Sequence, residues 1–276
     1  MKFQHVSLLA VALSTPSLLA TSIILDDFDD NTVTGWSSLG NPLGADHNIT
    51  ESGSNLTSEV IANQANLNTH RGIVSDTSFN PAAEAGFSAT FVVTSQGALA
   101  PGANGMFLGL TNDNVTFFRT AGVNSFGLTF FGHGTRANSV SGVSLVTNDI
   151  GAGGSATEGL IIDANPSSIQ LASFQDGFTA TLGADPAGWF FSVTGVNDTG
   201  GTPTTISDSG TWADAGSDYA TVFGGANWHA LASNQGDPAN NTHTLVLDSI
   251  SLQTVPEPSS ALLGLIGVGF LSVRRR

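Results

Sequence analysis

The chain has 276 residues, 7 Lys and Arg against 22 Asp and Glu, a formal net charge of −15, 33 Gly and no Cys. So acidic a chain lacks the clustered cations that nucleic acids and anionic membranes require, and without Cys it holds no disulfide framework, zinc ribbon or thiol nucleophile. A hydrophobic content of 40 % is too high for a disordered polyelectrolyte.

The charges are segregated. From Ile23 to Val255 there are three Arg, no Lys and every acid except Glu257; the remaining basic residues are Lys2 and Arg274 to Arg276. Lys2 precedes an apolar stretch from Val6 to Leu13, followed by Leu18, Leu19 and Ala20 after Pro16. Small residues in Ala20-Thr21-Ser22 mark a cleavage site before Ile23. Residues 1–22 therefore read as a signal helix that takes the chain to the export translocon.

Residues 23–254 form the body. Its densest acid cluster is Asp26, Asp27, Asp29 and Asp30. Carboxylate oxygens suit a hard cation, and Asp27-x-Asp29-x-Asn31 begins like a helix-loop-helix calcium loop, but the sixth-position Gly and twelfth-position Glu are missing. Farther along, Gly, Ser, Thr, Asn and Asp punctuate short apolar runs. Phe87, Ala89, Phe91 and Val93 share one face of an alternating run. Similar alternation runs through Phe126–Phe130, Ser168–Leu171 and Thr244–Leu252, as in half-buried antiparallel strands. Gly105–Thr111 and Gly188–Val196 are more continuously apolar, which predicts strands covered on both faces. No 3.6-residue stripe stands out. The pattern predicts an all-β antiparallel sandwich, a jelly roll.

Chemistry is sparse along this body. The histidines, His5, His47, His70, His133, His229 and His243, show no paired metal-ligand spacing, and no Gly-x-Ser-x-Gly elbow is present. Asn-x-Thr triplets at Asn48, Asn55, Asn114, Asn197 and Asn240 mark surface loops. Sugars stack on exposed aromatic faces, and 17 Phe against one Tyr and four Trp speak mostly of core. Trp212, close in sequence to Tyr219, is the best stacking platform, and Trp228 beside Asn227 is the second; Trp36 and Trp189 read as core.

The C-terminus reads Val255-Pro256-Glu257-Pro258-Ser259, then an apolar, Gly-rich run to Val273, then Arg274-Arg275-Arg276. About 15 residues at ~1.5 Å each give a transmembrane helix somewhat short of the ~30 Å bilayer core. Terminal arginines favour the cytoplasmic side and act as a stop-transfer signal.

Pro256, Glu257 and Pro258, the apolar span and the basic end together resemble the PEP-CTERM sorting signal of Gram-negative bacteria. The resemblance implies an exosortase as partner and an inner-membrane anchor during sorting. It also implies later delivery to the cell surface or an exopolysaccharide matrix. Ile24 to Asp30 with Gly35-Trp36, the strand Phe87–Val93, Gly188-Trp189-Phe190-Phe191 and the closing Leu247–Leu252 resemble a concanavalin A-like or laminin G-like jelly roll. That resemblance implies a structural calcium held by Asp27 or Asp30 near Asp248. Glucanases of the fold carry Glu-x-Asp-x-x-Glu on one strand, whereas none of Glu51, Glu59, Glu84 and Glu158 belongs to such a three-acid pattern. The expectation is a non-catalytic surface or matrix protein. A carbohydrate-binding adhesin for extracellular polysaccharide is the second reading and a glycoside hydrolase the third.

Overall fold

The computed structural model describes residues 21–39, 47–60, 70–96, 106–116, 123–130, 143–149, 159–164, 174, 176–197, 201–214, 217–225, 227–235 and 243–256. The expected strand Ser168–Leu171, the signal up to Ala20 and the tail from Glu257 lie outside them.

The first strands are β1 (Thr21–Asp26), β2 (Trp36–Leu39), β3 (His47–Glu51), β4 (Leu56–Val60) and β5 (His70–Ser75). A 3-10 turn, Pro81–Ala83, leads into the long β6 (Glu84–Gln96). There follow β7 (Met106–Thr111), β8 (Asn124–Phe130), β9 (Val143–Asp149) and β10 (Gly159–Ala164). The chain continues through β11 (Phe178–Asp185), β12 (Gly188–Asn197), β13 (Pro203–Thr211) and the short helix α1 (Tyr219–Phe223). It closes with β14 (His229–Gln235) and β15 (His243–Pro256).

These strands form two antiparallel sheets. One is eight-stranded, ordered β13-β12-β11-β6-β15-β4-β3, with β1 also on β15; the other is seven-stranded, ordered β10-β9-β8-β7-β14-β5-β2. This is the expected β-sandwich. Along one edge β15 pairs with β6 over nearly its whole length. Its other edge is shared: β4 takes His243–Leu247 and β1 takes Ile250–Thr254.

Alternation fixes the faces of the eight-stranded sheet. Phe87, Ala89, Phe91 and Val93 are buried inward, as are Phe178, Ala180 and Leu182 of β11. In β15 the inward residues are Leu245, Leu247, Ile250 and Leu252. A period of two cannot put both pairs on one face; the register shift between Leu247 and Ser249 resets the phase, as a bulge does. Gly188–Val196 departs from expectation. It alternates, with Trp189, Phe191 and Val193 buried and Phe190 exposed, because only one face of this sheet is covered.

The seven-stranded sheet is covered on both faces at its centre. Every residue of β7 is buried, as expected, and so are Ser125 and Thr129 of β8. Leu39, Val74, Phe107, Val123 and Leu231 make a second apolar cluster there, apart from the main core. The Phe107 ring lies over Gly127, where a Cβ would come within 2.6 Å of Cζ.

Candidate functional site

Trp212, Tyr219 and Trp228 correct the sequence reading. They are only 4 %, 8 % and 0 % exposed, so none offers a face to a sugar. Asp218 caps α1, accepting from the Thr221 backbone N–H at 2.8 Å and its hydroxyl at 2.7 Å. This turns Tyr219, Val222 and Phe223 into the sandwich. Trp212 and Tyr219 then meet edge to face at 6.0 Å, and Phe223 packs 5.0 Å from Trp228. Two of the polar tips are satisfied internally: Trp212 Nε1 donates to Asp185 O at 2.7 Å and Tyr219 OH to Pro81 O at 2.9 Å, whereas the buried Trp228 Nε1 has no hydrogen-bond partner among the described residues. Burial pushes the Tyr219 phenol above its usual range. These rings are core residues, as Trp36 and Trp189 were expected to be.

The acid cluster lies in the loop after β1. Asp26 is fully engaged: Oδ1 accepts from Phe28 N at 2.9 Å and Oδ2 from Trp36 Nε1 at 2.6 Å. Asp30 accepts from the Thr32 backbone N–H at 2.8 Å and from its hydroxyl at 2.9 Å, and these bonds hold its carboxyl below the usual range. Glu51, at the end of β3, accepts from the same Thr32 N–H at 3.1 Å. Asp29 is held up chiefly by the charge of Asp27. Asp248 is exposed at the bulge of β15, two residues before the Ile250 that pairs with Asp26. The expected calcium set is not assembled: among the described residues no three His, Cys, Asp or Glu side chains group to hold a metal.

Glu51 is the member of this loop that sequence reasoning missed. It stands 21 positions from Asp30, and the pairing of β1 with β15, β15 with β4 and β4 with β3 brings the two segments into one sheet. Burial, then the neighbouring Asp30, pushes its carboxyl above the ordinary 4.5. A raised folded value means that the native state holds its proton longer than the unfolded chain. The resulting cost is absent below about pH 4.5, grows as pH rises through the folded value, and is complete at neutral pH. Glu51→Gln is therefore expected to raise the melting temperature at pH 7 by about 1–2 °C. The gain should vanish as pH falls below 4.5. An equal gain at both pH values would show that charge is not the cause.

The outer face of the eight-stranded sheet has a different chemistry. Thr90 pairs with Ser251 and Thr181; Thr181 pairs with Ser192, and Ser192 with Ser207. These outward side chains make one transverse row of hydroxyls across five strands. Within it Thr90 and Thr181 share a hydrogen bond of 3.1 Å. In the next row Gln253, Ser88, Gly183, Phe190 and Ser209 follow in register. The Phe190 ring lies over Gly183, where a Cβ would stand 2.5 Å from Cε1, and Phe190 remains 40 % exposed. The sequence carries one signal of this: a Gly directly across from the aromatic, visible only once the β11–β12 hairpin is registered.

Of the sorting residues, Pro256 is the last residue of β15 and pairs with Glu84. Glu257, Pro258 and Arg274, Arg275 and Arg276 lie outside the described residues, as does the expected transmembrane helix. Among the described residues no helix is long and apolar enough to cross a membrane.

The fold and the tail together define a class: a lectin-like β-sandwich followed directly by a sorting signal. Residues 254–276 match the PEP-CTERM protein-sorting motif. No curated protein matches the chain by sequence. Solved structures share its fold. Peanut lectin with a nine-residue peptide aligns at 12 % identity and TM-score 0.53, covering 86 % of this chain and 97 % of that one. The Bauhinia forficata lectin in complex with GalNAc aligns at 11 % identity and TM-score 0.53, covering 86 % and 98 %. A LamA variant from Z. galactanivorans in complex with laminaritriose and laminaritetraose aligns at 10 % identity and TM-score 0.52, covering 84 % and 98 %.

Proposed function

We propose that this chain is a non-catalytic component of the cell surface or exopolysaccharide matrix of a Gram-negative bacterium, exported by the translocon and sorted by an exosortase. The observation that carries the reading is the sorting motif, which begins within the last strand of a folded sandwich. The tail would hold the body at the inner membrane until processing and release it outward afterwards.

The non-catalytic part rests on two arguments. The body contains no Glu-x-Asp-x-x-Glu sequence. Asp30 and Glu51, which do meet, accept from one N–H, whereas a glycosidase separates its carboxyls by ~5 Å or more to hold a sugar between them. Calcium is left out of the proposal, because among the described residues Asp27, Asp30 and Asp248 do not group to hold a metal. Carbohydrate binding is the second reading, favoured by the lectin-like fold.

Mass spectrometry of the mature protein, from hosts with and without an exosortase, tests the proposal. A C-terminus trimmed near Pro256–Pro258 is expected only where the enzyme is present. Surface protein that still ends in Arg276 would overturn it.

A further inference from the structure

We propose that the outer face of the eight-stranded sheet, centred on Phe190, binds a neutral polysaccharide chain lying across the strands. This deepens the matrix reading by naming the partner class, and it rests on that reading only for where the polymer is met.

Three observations carry it. First, this face is uncharged over three successive rows of β15, β6, β11, β12 and β13, between exposed Asp185, one row beyond Phe190, and exposed Asp248 at the β15 bulge. Its outward residues there are Ser and Thr, apart from Gln253, Val92, Gly183 and Phe190. In a chain of net charge −15, that neutrality sets the face apart. A neutral polymer can cover it without stripping water from a carboxylate, whereas an anionic polymer would be repelled by the rest of the body.

Second, the hydroxyls are ordered. Neighbouring strands lie about 4.8 Å apart, so each row repeats donor-acceptor groups at that interval. A Ser or Thr hydroxyl both donates and accepts, and rotates to suit its partner. That matches a ligand made of sugar hydroxyls.

Third, Phe190 supplies an apolar contact within the lattice. Among the described residues a Phe ring twice lies over a Gly on a sheet. Phe107 over Gly127 is 1 % exposed, while Phe190 over Gly183 is 40 % exposed. An aromatic ring of this kind stacks against the C–H face of a pyranose while flanking hydroxyls take its polar edge. Protein interfaces have an apolar centre of several residues; here Phe190 is flanked across strands by Gly183 and Ser209, which favours a glycan over a second copy of the chain.

The test uses the full chain in nonionic detergent. Its depletion from solution is measured with microcrystalline cellulose and insoluble β-1,3-glucan as neutral probes, and alginate beads as the anionic one. Binding to at least one neutral probe is expected, unchanged between about 0.1 and 1 M NaCl because no ion pair contributes. Phe190→Thr keeps strand propensity and removes the ring. Ser209→Glu puts a charge beside it on an exposed position. Each is expected to weaken binding about tenfold with an unaltered melting profile. The proposal is overturned if only alginate binds, if no probe binds, or if both folded variants bind like the parent. It is also overturned if the variants change the sedimentation coefficient instead, which would make this face a self-association surface. Failed C-terminal processing would overturn the sorting reading and leave the binding result standing, so the two failures are separable.

Discussion

Phe223→Ala is expected to lower the unfolding free energy by about 3–5 kcal/mol, the range for emptying a large aromatic site in a packed core. Phe223 is fully buried, and its ring touches both sheets: it lies 5.1 Å from Phe87 of β6 and 5.2 Å from Phe126 of β8. Tyr219 at 4.8 Å, Trp228 at 5.0 Å and Trp212 at 5.9 Å close the remaining sides. Truncation removes the one group common to these contacts, and Trp212 and Tyr219, tied by hydrogen bonds to Asp185 O and Pro81 O, cannot collapse into the space. Phe223→Leu, which refills most of the volume, should cost about 1–2 kcal/mol. Urea unfolding followed by Trp fluorescence measures both. A loss under about 1 kcal/mol for the Ala variant would show that α1 is not part of the cooperative core.

Asp26→Ala is expected to cost about 2–4 kcal/mol, since hydrogen bonds to a charged acceptor contribute more than neutral ones and these two are partly buried. Its oxygens hold Phe28 N and Trp36 Nε1. The first bond fixes a turn in which Phe28 adopts φ 52, a conformation a bulky residue resists. The second ties Trp36, whose ring packs 5.8 Å from Phe28, to the end of β1. Asp26→Asn, which keeps one carbonyl acceptor, should lose roughly half as much. Equal losses for both variants would mean that the negative charge, not the pair of acceptors, matters. Thermal melts with near-ultraviolet circular dichroism would read this out.

These two residues mark how far the sequence was legible. Strands announced themselves wherever one face meets the core, as at Phe87 to Val93, because period-two alternation is a local signal. Double coverage at Met106–Thr111 was legible from a different signal, a continuous apolar run, which at Gly188–Val196 belonged instead to an alternating strand. The placement of Trp212, Tyr219 and Trp228 was not. Their burial depends on a five-residue helix, too short to show a helical stripe, and on Asp218 turning it inward. The phase change in β15, with Leu245 and Leu247 out of step with Ile250 and Leu252, was read as continuous alternation, because a bulge is recognised only when a partner strand sets the register. Asp30 with Glu51, and the rows of hydroxyls around Phe190, are products of strand pairing between distant segments. Their chemistry is written in residues that look like ordinary loop acids and outward Ser and Thr. The sorting signal stands at the other extreme: Pro256, Glu257, Pro258 and the terminal arginines act as contiguous chain, so the sequence alone reveals them.

The position of β15 has a consequence for the order of events during export. This strand joins β6 on one side to β4 and β1 on the other, yet it is the last described strand in chain order and so the last of them to be synthesised. Until it arrives, the strands before it lack their central partner, and the sheet stands open between β6 and β4. On the export and sorting route proposed above, the chain would stay threadable until its end is delivered, and an enzyme acting at the motif would then meet a finished sandwich rather than a nascent thread.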